Sequence, residues 1–318
     1  RWNLRTARAL PRADLYVVHG WSQLPAVWRR ARREGAAVLY DAHDSYFERY
    51  PPGQDPEFAS DLTRRMFASA EGRFARRAAG LITSSEGIAD LLERRVGRRP
   101  EVIFNYPDTR TDADRGRGVR SAAGIAPGEF LLVSVGNAKA GMDVEAGIRA
   151  LELLPEHVHL ALVGGGLEPY RARARELGLK RRVHLLGAVP PDHVNRFIAD
   201  ADAGVILYYP ITLDFEVAIP NRLFHAIAAG LPVLYPALPG IASVAAEREL
   251  GPEIDSRDPA SIAAAARVLI EDRGARERYR KNAARAAGEL SWERQEPRLT
   301  ALIDAALEDG RPGRGRRA

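Results

Sequence analysis

The chain has 318 residues, 46% of them hydrophobic and 28% charged, with no cysteine. That length suits two domains, and the composition excludes a wholly disordered or collagen-like chain. The missing thiols exclude disulfides, cysteine nucleophiles and cysteine-ligated zinc, and no apolar run approaches the roughly 18 residues that cross a bilayer. The net charge is +5, and the whole excess lies within residues 1–118. All but three of the 47 basic residues are arginine, the exceptions being Lys139, Lys180 and Lys281. Such a balance is either a solvated arginine-rich surface or an attraction to an anionic membrane face or lipid phosphate. With so little lysine and no interleaved aromatics it gives no support for nucleic-acid binding. The chain opens at Arg1 rather than Met, so the lack of a signal-peptide pattern says nothing about its destination.

In chain order, Leu15 to Val18 is a buried strand, 25–33 a helix, and Ala37 to Tyr40 a second strand ending at Asp41. Residues 61–79 are amphipathic and basic, with Leu62, Met66, Phe67 and Phe74 near one face. A short strand at Leu81 to Thr83 leads to Ser84-Ser85-Glu86, which opens a helix to Arg95, and 102–104 is the next strand. Alternation of short apolar strands with helices points to parallel α/β sheets. Residues 106–128 are rich in Asp, Arg, Gly and Pro and lack periodicity, as a linker does.

Alternation restarts with strands at 130–135, 158–163, 183–186, 204–208 and 232–234. Helices follow them at 143–154, 168–177, 191–200, 220–229 and 240–248, which makes a second doubly wound unit. A helix-rich segment runs from Asp258 to Leu307, and the closing GRPGRGRRA is expected to fray. The domains expected are therefore 1–108, a linker over 109–128, 129–290, and a C-terminal helix with its tail over 291–318. The first holds only about four strands, so roughly two βαβ units are expected upstream of Arg1.

Ligands of open parallel sheets sit beyond the carboxyl ends of the strands. After 130–135 come Gly136-Asn137-Ala138-Lys139-Ala140-Gly141, either an anion-binding turn or a plain tight one. After 158–163 come Gly164-Gly165-Gly166; Pro169 stands where a dinucleotide fingerprint needs its third glycine, and no phosphate-loop pattern occurs. The most informative junction runs from Ile219 to Val233. Pro220 opens a helix and Gly230 closes it, with Asn221 and Arg222 in the first turn and His225 one turn on. Arg222 and His225 are either a surface pair or a site for an anion at the positive end of a helix.

This stretch resembles the donor-binding segment of GT-B glycosyltransferases, family 4 above all, with its Pro-Asn/Ser-Lys-x-Phe-Glu-x-x-Ala-x-Gly-x-Pro-Val pattern. Other marks follow in family order: Tyr40 to Asp44, Ile82 to Glu86, Ile103 to Asp108, Leu185-Leu186-Gly187 and Ser291-Trp292-Glu293. They span about 40–300, and the family's first glycine-rich loop has no counterpart. The resemblance implies a GT-B fold of two Rossmann-like doubly wound domains facing across a cleft. It also implies retaining transfer of a sugar from a nucleotide-sugar to a hydroxyl acceptor, with no metal and no other cofactor.

By the same resemblance Arg222 stands for the family lysine and would stabilise the leaving diphosphate, and Asn221 precedes it. Gly136 and Asn137 fall near the phosphates, while Lys139 is one residue off the usual position. Gly164 to Gly166 would line the donor pocket, Ala188 and Val189 would border the base, and His43 would face the transferred sugar or the acceptor. One departure stands out: His225 replaces the glutamate that grips the ribose, with Glu216 as a substitute nearby. It leaves two alternatives open, a non-catalytic sugar-nucleotide-binding partner and a nucleotide-sugar epimerase. The acceptor expected is a lipid-linked glycan, a saccharide or a small molecule. The basic segment 64–77 is a candidate for peripheral contact with the inner face of a membrane, from a cytoplasmic position.

Overall fold

The computed structural model describes residues 2–51, 53–108 and 117–310. The expected linker lies outside these over 109–116, and so does most of the expected frayed tail, 311–318. The chain divides into two compact units. The first holds Arg1–Phe104, Thr212–Ala218 and Gln295–Ala318; the second holds Asn105–Ile211 and Ile219–Arg294.

The first unit begins with α1 (Trp2–Ala9), which the sequence pattern does not announce. It continues through β1 (Leu15–His19), α2 (Leu24–Glu34), β2 (Ala37–Asp41), α3 (Asp61–Arg77), β3 (Gly80–Thr83), α4 (Glu86–Val96) and β4 (Glu101–Val102). The last strand is shorter than the expected 102–104. The strands pair in parallel in the order β1-β2-β3-β4, stepping one way across the sheet. One core layer gathers Tyr16, Val18, Val27, Tyr40, Ile88 and Leu92. Ser85 caps α4 by accepting from the Ile88 N–H at 3.3 Å, and Gly97 ends it in the left-handed region at φ 72°.

On helix α3 the face that holds Leu62, Met66 and Phe67 is turned to solvent, Leu62 being 70% exposed and Met66 66%, while Phe74 packs against the core. The side turned inward carries Glu71, Gly72 and Ala75. A buried carboxylate decides the orientation. Tyr40 Oη donates to Glu71 Oε1 at 2.5 Å, and Arg95 Nη2 lies 2.6 Å from Glu71 Oε2 while its Nε lies 2.5 Å from Glu48.

The second unit opens with α5 (Val119–Ala123), whose Val119 is fully buried. Residues 119–128 are therefore structured, not linker, and Val119 and Ile125 belong to the core of this unit. There follow β5 (Phe130–Val135), α6 (Val144–Ala150), β6 (Val158–Val163), α7 (Glu168–Glu176), β7 (Val183–Leu186), α8 (Val194–Ile198) and β8 (Ala203–Val205). Short α9 (Leu213–Val217) lies within Thr212–Ala218 and so belongs to the first unit. The second unit resumes with α10 (Asn221–Ala228), β9 (Val233–Pro236), α11 (Pro239–Ala245), β10 (Glu253–Ile254), α12 (Pro259–Glu271) and α13 (Arg273–Glu289). Finally α14 (Trp292–Gly310) ends the described chain. Among the described residues no helix is long and apolar enough to cross a membrane.

The six strands of the second unit run β7-β6-β5-β8-β9-β10 and all pair in parallel. The chain starts at the centre with β5, fills one side, then crosses to the other. Alternation along β5 serves both faces: Phe130 and Leu132 join one core layer, Leu131 and Val133 the other. The reversal falls between β5 and β8, and the crevice of a doubly wound sheet opens there, at the carboxyl ends.

Candidate functional site

At that reversal two loops are laced together. The Gly136 N–H donates to Val163 O at 2.8 Å, the Ala138 N–H to Gly165 O at 2.9 Å, and the Gly165 N–H to Asn137 Oδ1 at 2.7 Å. Glycine is required at the crossing: a Cβ on Gly164 would fall 2.3 Å from Gly136 O. Gly136 itself has φ 125°, and a Cβ there would fall 2.9 Å from Arg222 Nη2. Asn137, whose side chain holds the neighbouring loop, has a structural task, and Lys139 is exposed at the turn.

Arg222 enters from the first turn of α10, a helix with no side-chain cap. Its Nη1 donates to Met142 Sδ at 2.9 Å, and its guanidinium lies 5.8 Å from the centre of the Tyr208 ring. Met142 and Tyr208 form an isolated antiparallel bridge in the segments that follow β5 and β8. Among the described residues no carboxylate lies within 4.0 Å of the guanidinium. Burial draws its pKa down to about 10, opposed only by Tyr208, so it stays protonated at neutral pH. A partly buried cation beside glycine backbone and the positive end of a helix is chemically suited to an anion.

One turn on, His225 Nδ1 donates to Asn195 Oδ1 of α8 at 2.6 Å. Burial holds the ring below its ordinary pKa, hence neutral at pH 7, and leaves Nε2 as an acceptor. Asn221 is exposed at the start of α10. After β7, Ala188 is exposed while Val189 packs into the core layer of Val119 and Val194. Beside β8 a cavity of about 500 Å³ is lined by Tyr208, Tyr209, Pro236, Ser256 and Arg257.

The structure thus brings Gly136, Asn137, Gly164, Gly166 and Arg222 together, with His225 one turn along. Glu216 lies in α9, which is bound into the first unit: the Leu213 N–H donates to Arg49 O at 3.1 Å, Arg49 Nε to Asp214 at 2.8 Å, and Ser85 Oγ to Val217 O at 3.0 Å. Glu216, offered in the sequence as a substitute near the donor, thus belongs to the first unit, and the loops around Arg222 to the second.

His43 has its own cluster in the first unit, at the carboxyl ends of β1 and β2. Tyr46 Oη lies 3.0 Å from His43 Nε2, and His19 Nδ1 lies 2.7 Å from Asp41 Oδ2. Burial, with Asp44 and Asp41 beside it, pushes the Tyr46 phenol up to about 12, so the phenol keeps its proton. One ligand atom each from His19, Asp41 and His43 lies within 4.8 Å of the others, a set that could hold a divalent cation. Sequence reasoning passed over His19, Tyr46, Asn195, Met142 and Tyr208. Only His19 carried a signal, since it ends an apolar strand just before Gly20.

Residues 119–286 match the model described as glycosyl transferases group 1, and residues 1–107 the one described as glycosyl transferase 4-like domain. A D-inositol 3-phosphate glycosyltransferase of Xylanimonas cellulosilytica is 25% identical over 304 residues, covering 88% of this chain and 69% of its own. One of the same description from Geodermatophilus obscurus is 30% identical over 216 residues, covering 64% of this chain and 46% of its own. Of solved structures, that of Anabaena HepE (Alr3699) in complex with UDP is similar at a TM-score of 0.72 and 18% identity, over 95% of this chain and 82% of that one.

Proposed function

The chain belongs to the glycosyl transferases of group 1, enzymes of sugar transfer, and from that premise we propose that it moves a hexose from a nucleotide-sugar to a hydroxyl acceptor with retention at the anomeric carbon. The observation that carries this reading is Arg222, a protonated guanidinium with no carboxylate partner among the described residues, set at the reversal of the sheet between Gly136 and the start of α10.

The donor diphosphate is assigned to that place. As the bond from the sugar to the diphosphate breaks, negative charge grows on the leaving oxygens, and Arg222 with the first turn of α10 stabilises it. The acceptor hydroxyl bonds to the anomeric carbon, and its proton goes to the leaving diphosphate. Neutral His225, oriented by Asn195, is assigned one ribose hydroxyl through Nε2. His43, whose Nε2 is hydrogen-bonded to Tyr46 Oη, is assigned a hydrogen bond through Nδ1 with a sugar or acceptor oxygen. The charge being met by protein groups, activity is expected to survive EDTA. A polyol or saccharide acceptor, carried in solution or on a lipid at the cytoplasmic face of a membrane, completes the reading. The curated relatives named above act on a phosphorylated polyol, inositol 3-phosphate.

The test is a thermal-shift screen against UDP, GDP, dTDP, ADP and CMP, with Arg222→Ala alongside. A nucleotide at 100 times its Kd stabilises by about 2.7 kcal/mol. One nucleotide is expected to do so and to lose the effect in the variant. A folded chain that answers to none of them would sink the donor site. The matching nucleotide-sugar then separates the alternatives that His225 leaves open. Binding without turnover indicates a non-catalytic partner, and a changed sugar without acceptor indicates an epimerase.

A further inference from the structure

Helix α3 presents to solvent a face that its own packing does not use. At 100° per residue, Leu62, Arg65, Met66, Arg73, Arg76 and Arg77 fall within about 120° of one another, along a helix about 25 Å long. All six are exposed. Phe67, 41% exposed, flanks them and rests on Trp21 and Phe58 with ring centres at 5.0 and 6.0 Å. Single exposed apolar side chains need no explanation. Three within six positions, set among four arginines, do.

The stripe is net positive: Glu71 is turned inward, and Asp61, the other carboxylate of α3, is held by Arg65 of the stripe and by Arg64. Asp61 is bound by Arg64 at 2.6 Å and by Arg65 at 2.9 Å, and Glu71 is buried against Tyr40 and Arg95. The opposite side is fastened down. Arg64 also donates to Phe47 O, Phe74 packs on Trp28 at 5.6 Å between ring centres, and Ala75 is fully buried. The outward stripe is thus held rigidly in place and contributes little to the core.

We propose that this face docks the chain on an anionic lipid surface. Leu62, Met66 and Phe67 enter the headgroup boundary while Arg73 and Arg77 meet lipid phosphates, with Arg65, paired to Asp61, and Arg76, which donates to Val96 O at 3.0 Å, adding positive charge beside them. An apolar and cationic stripe with no free carboxylate complements that surface and repels a basic one. The inference stands apart from the donor site, which lies in the second unit.

Flotation of the full chain with vesicles tests it. Binding to phosphatidylcholine containing about 30% phosphatidylglycerol is expected to exceed binding to phosphatidylcholine alone at least tenfold, and to fall in about 0.5 M salt. Leu62→Ser with Met66→Ser is expected to weaken binding about tenfold, as is Arg73→Gln with Arg77→Gln, both with an unchanged melting temperature. Arg175→Gln, an exposed arginine of α7, is expected to leave binding unchanged. No preference for the anionic vesicles overturns the proposal. Undiminished binding of the Leu62/Met66 variant also overturns it, because any basic surface would behave so; capture by an acidic protein but not by vesicles does the same.

Discussion

Two enclosed arginines, one in each unit, have opposite surroundings. Arg95 in the first unit lies against Glu71 and Glu48 and over the Phe47 ring at 5.2 Å. Burial alone would pull its pKa down, but the two carboxylates outweigh that and raise it. Arg222 in the second unit has a thioether and a phenol for company, and burial prevails. The first cation is satisfied by the fold. The second keeps its charge available for something the fold does not supply. A partly buried cation left in this state marks a binding function far better than burial or charge taken singly.

Exchanging each arginine for methionine is the strongest way to break this comparison. Arg222→Met is expected to cut turnover by about 10²- to 10³-fold, while the ligand-free chain stays as stable or gains about 1 kcal/mol. Arg95→Met is expected to do the reverse. It strands Glu71 and costs about 3 kcal/mol or more in urea unfolding, with turnover per folded molecule retained. If both variants lose stability alike, the distinction between the two arginines is wrong.

Gly136→Ala probes the second site more gently. A side chain at φ 125° is strained, costing about 1 kcal/mol, and the new methyl group presses on Arg222 Nη2. Nucleotide affinity by calorimetry is expected to fall about tenfold, a loss of about 1.4 kcal/mol. Unchanged affinity would mean that Arg222 need not sit where it does.

The smallest effect is on acid stability. His159 Nδ1 and His184 Nε2 lie 3.0 Å apart between β6 and β7. Burial, together with His159, draws the His184 pKa down to about 4 from an ordinary value near 6.5. The unfolded chain therefore takes up protons that the folded one refuses. Stability is full above pH 6.5 and falls as pH drops toward 4. His184→Phe is expected to flatten the urea midpoint between about pH 7.5 and pH 5. The part that remains belongs to His159 and His225, both lowered chiefly by burial in the same direction.

How much of this was legible depends on how local the cause is. Strands such as Ala37 to Asp41 and Phe130 to Val135 declare themselves, because parallel strands buried on both faces read as apolar runs. Ser85 and Gly97 mark α4, and Pro220 and Gly230 mark α10, by backbone chemistry within a few residues. The facing of α3 was hidden because its decisive residue, Glu71, is a carboxylate whose burial depends on Tyr40 and Arg95, 31 and 24 positions away. The partner of His225 is 30 residues upstream on another helix. The allegiance of α9 was illegible for the same reason. Nothing in Leu213 to Val217 says that Asp214 will be buried against Arg49, or that Gly87 must lack a side chain to admit Val217.

That allegiance bears on how such a protein can be cut or recombined. A gene fragment ending at residue 108 would encode the first unit without two of its three pieces. Arg49 would lose Asp214, Ser85 would lose Val217, and Glu101 would lose its ion-pair partner Arg298 on α14. A chimera joined at the same point would place another protein's α9 and α14 against these surfaces. The modules that sequence comparison separates at residues 107 and 119 are therefore not modules of exchange. To graft a new first unit onto this second one, the transplant must carry α9 and α14 with it.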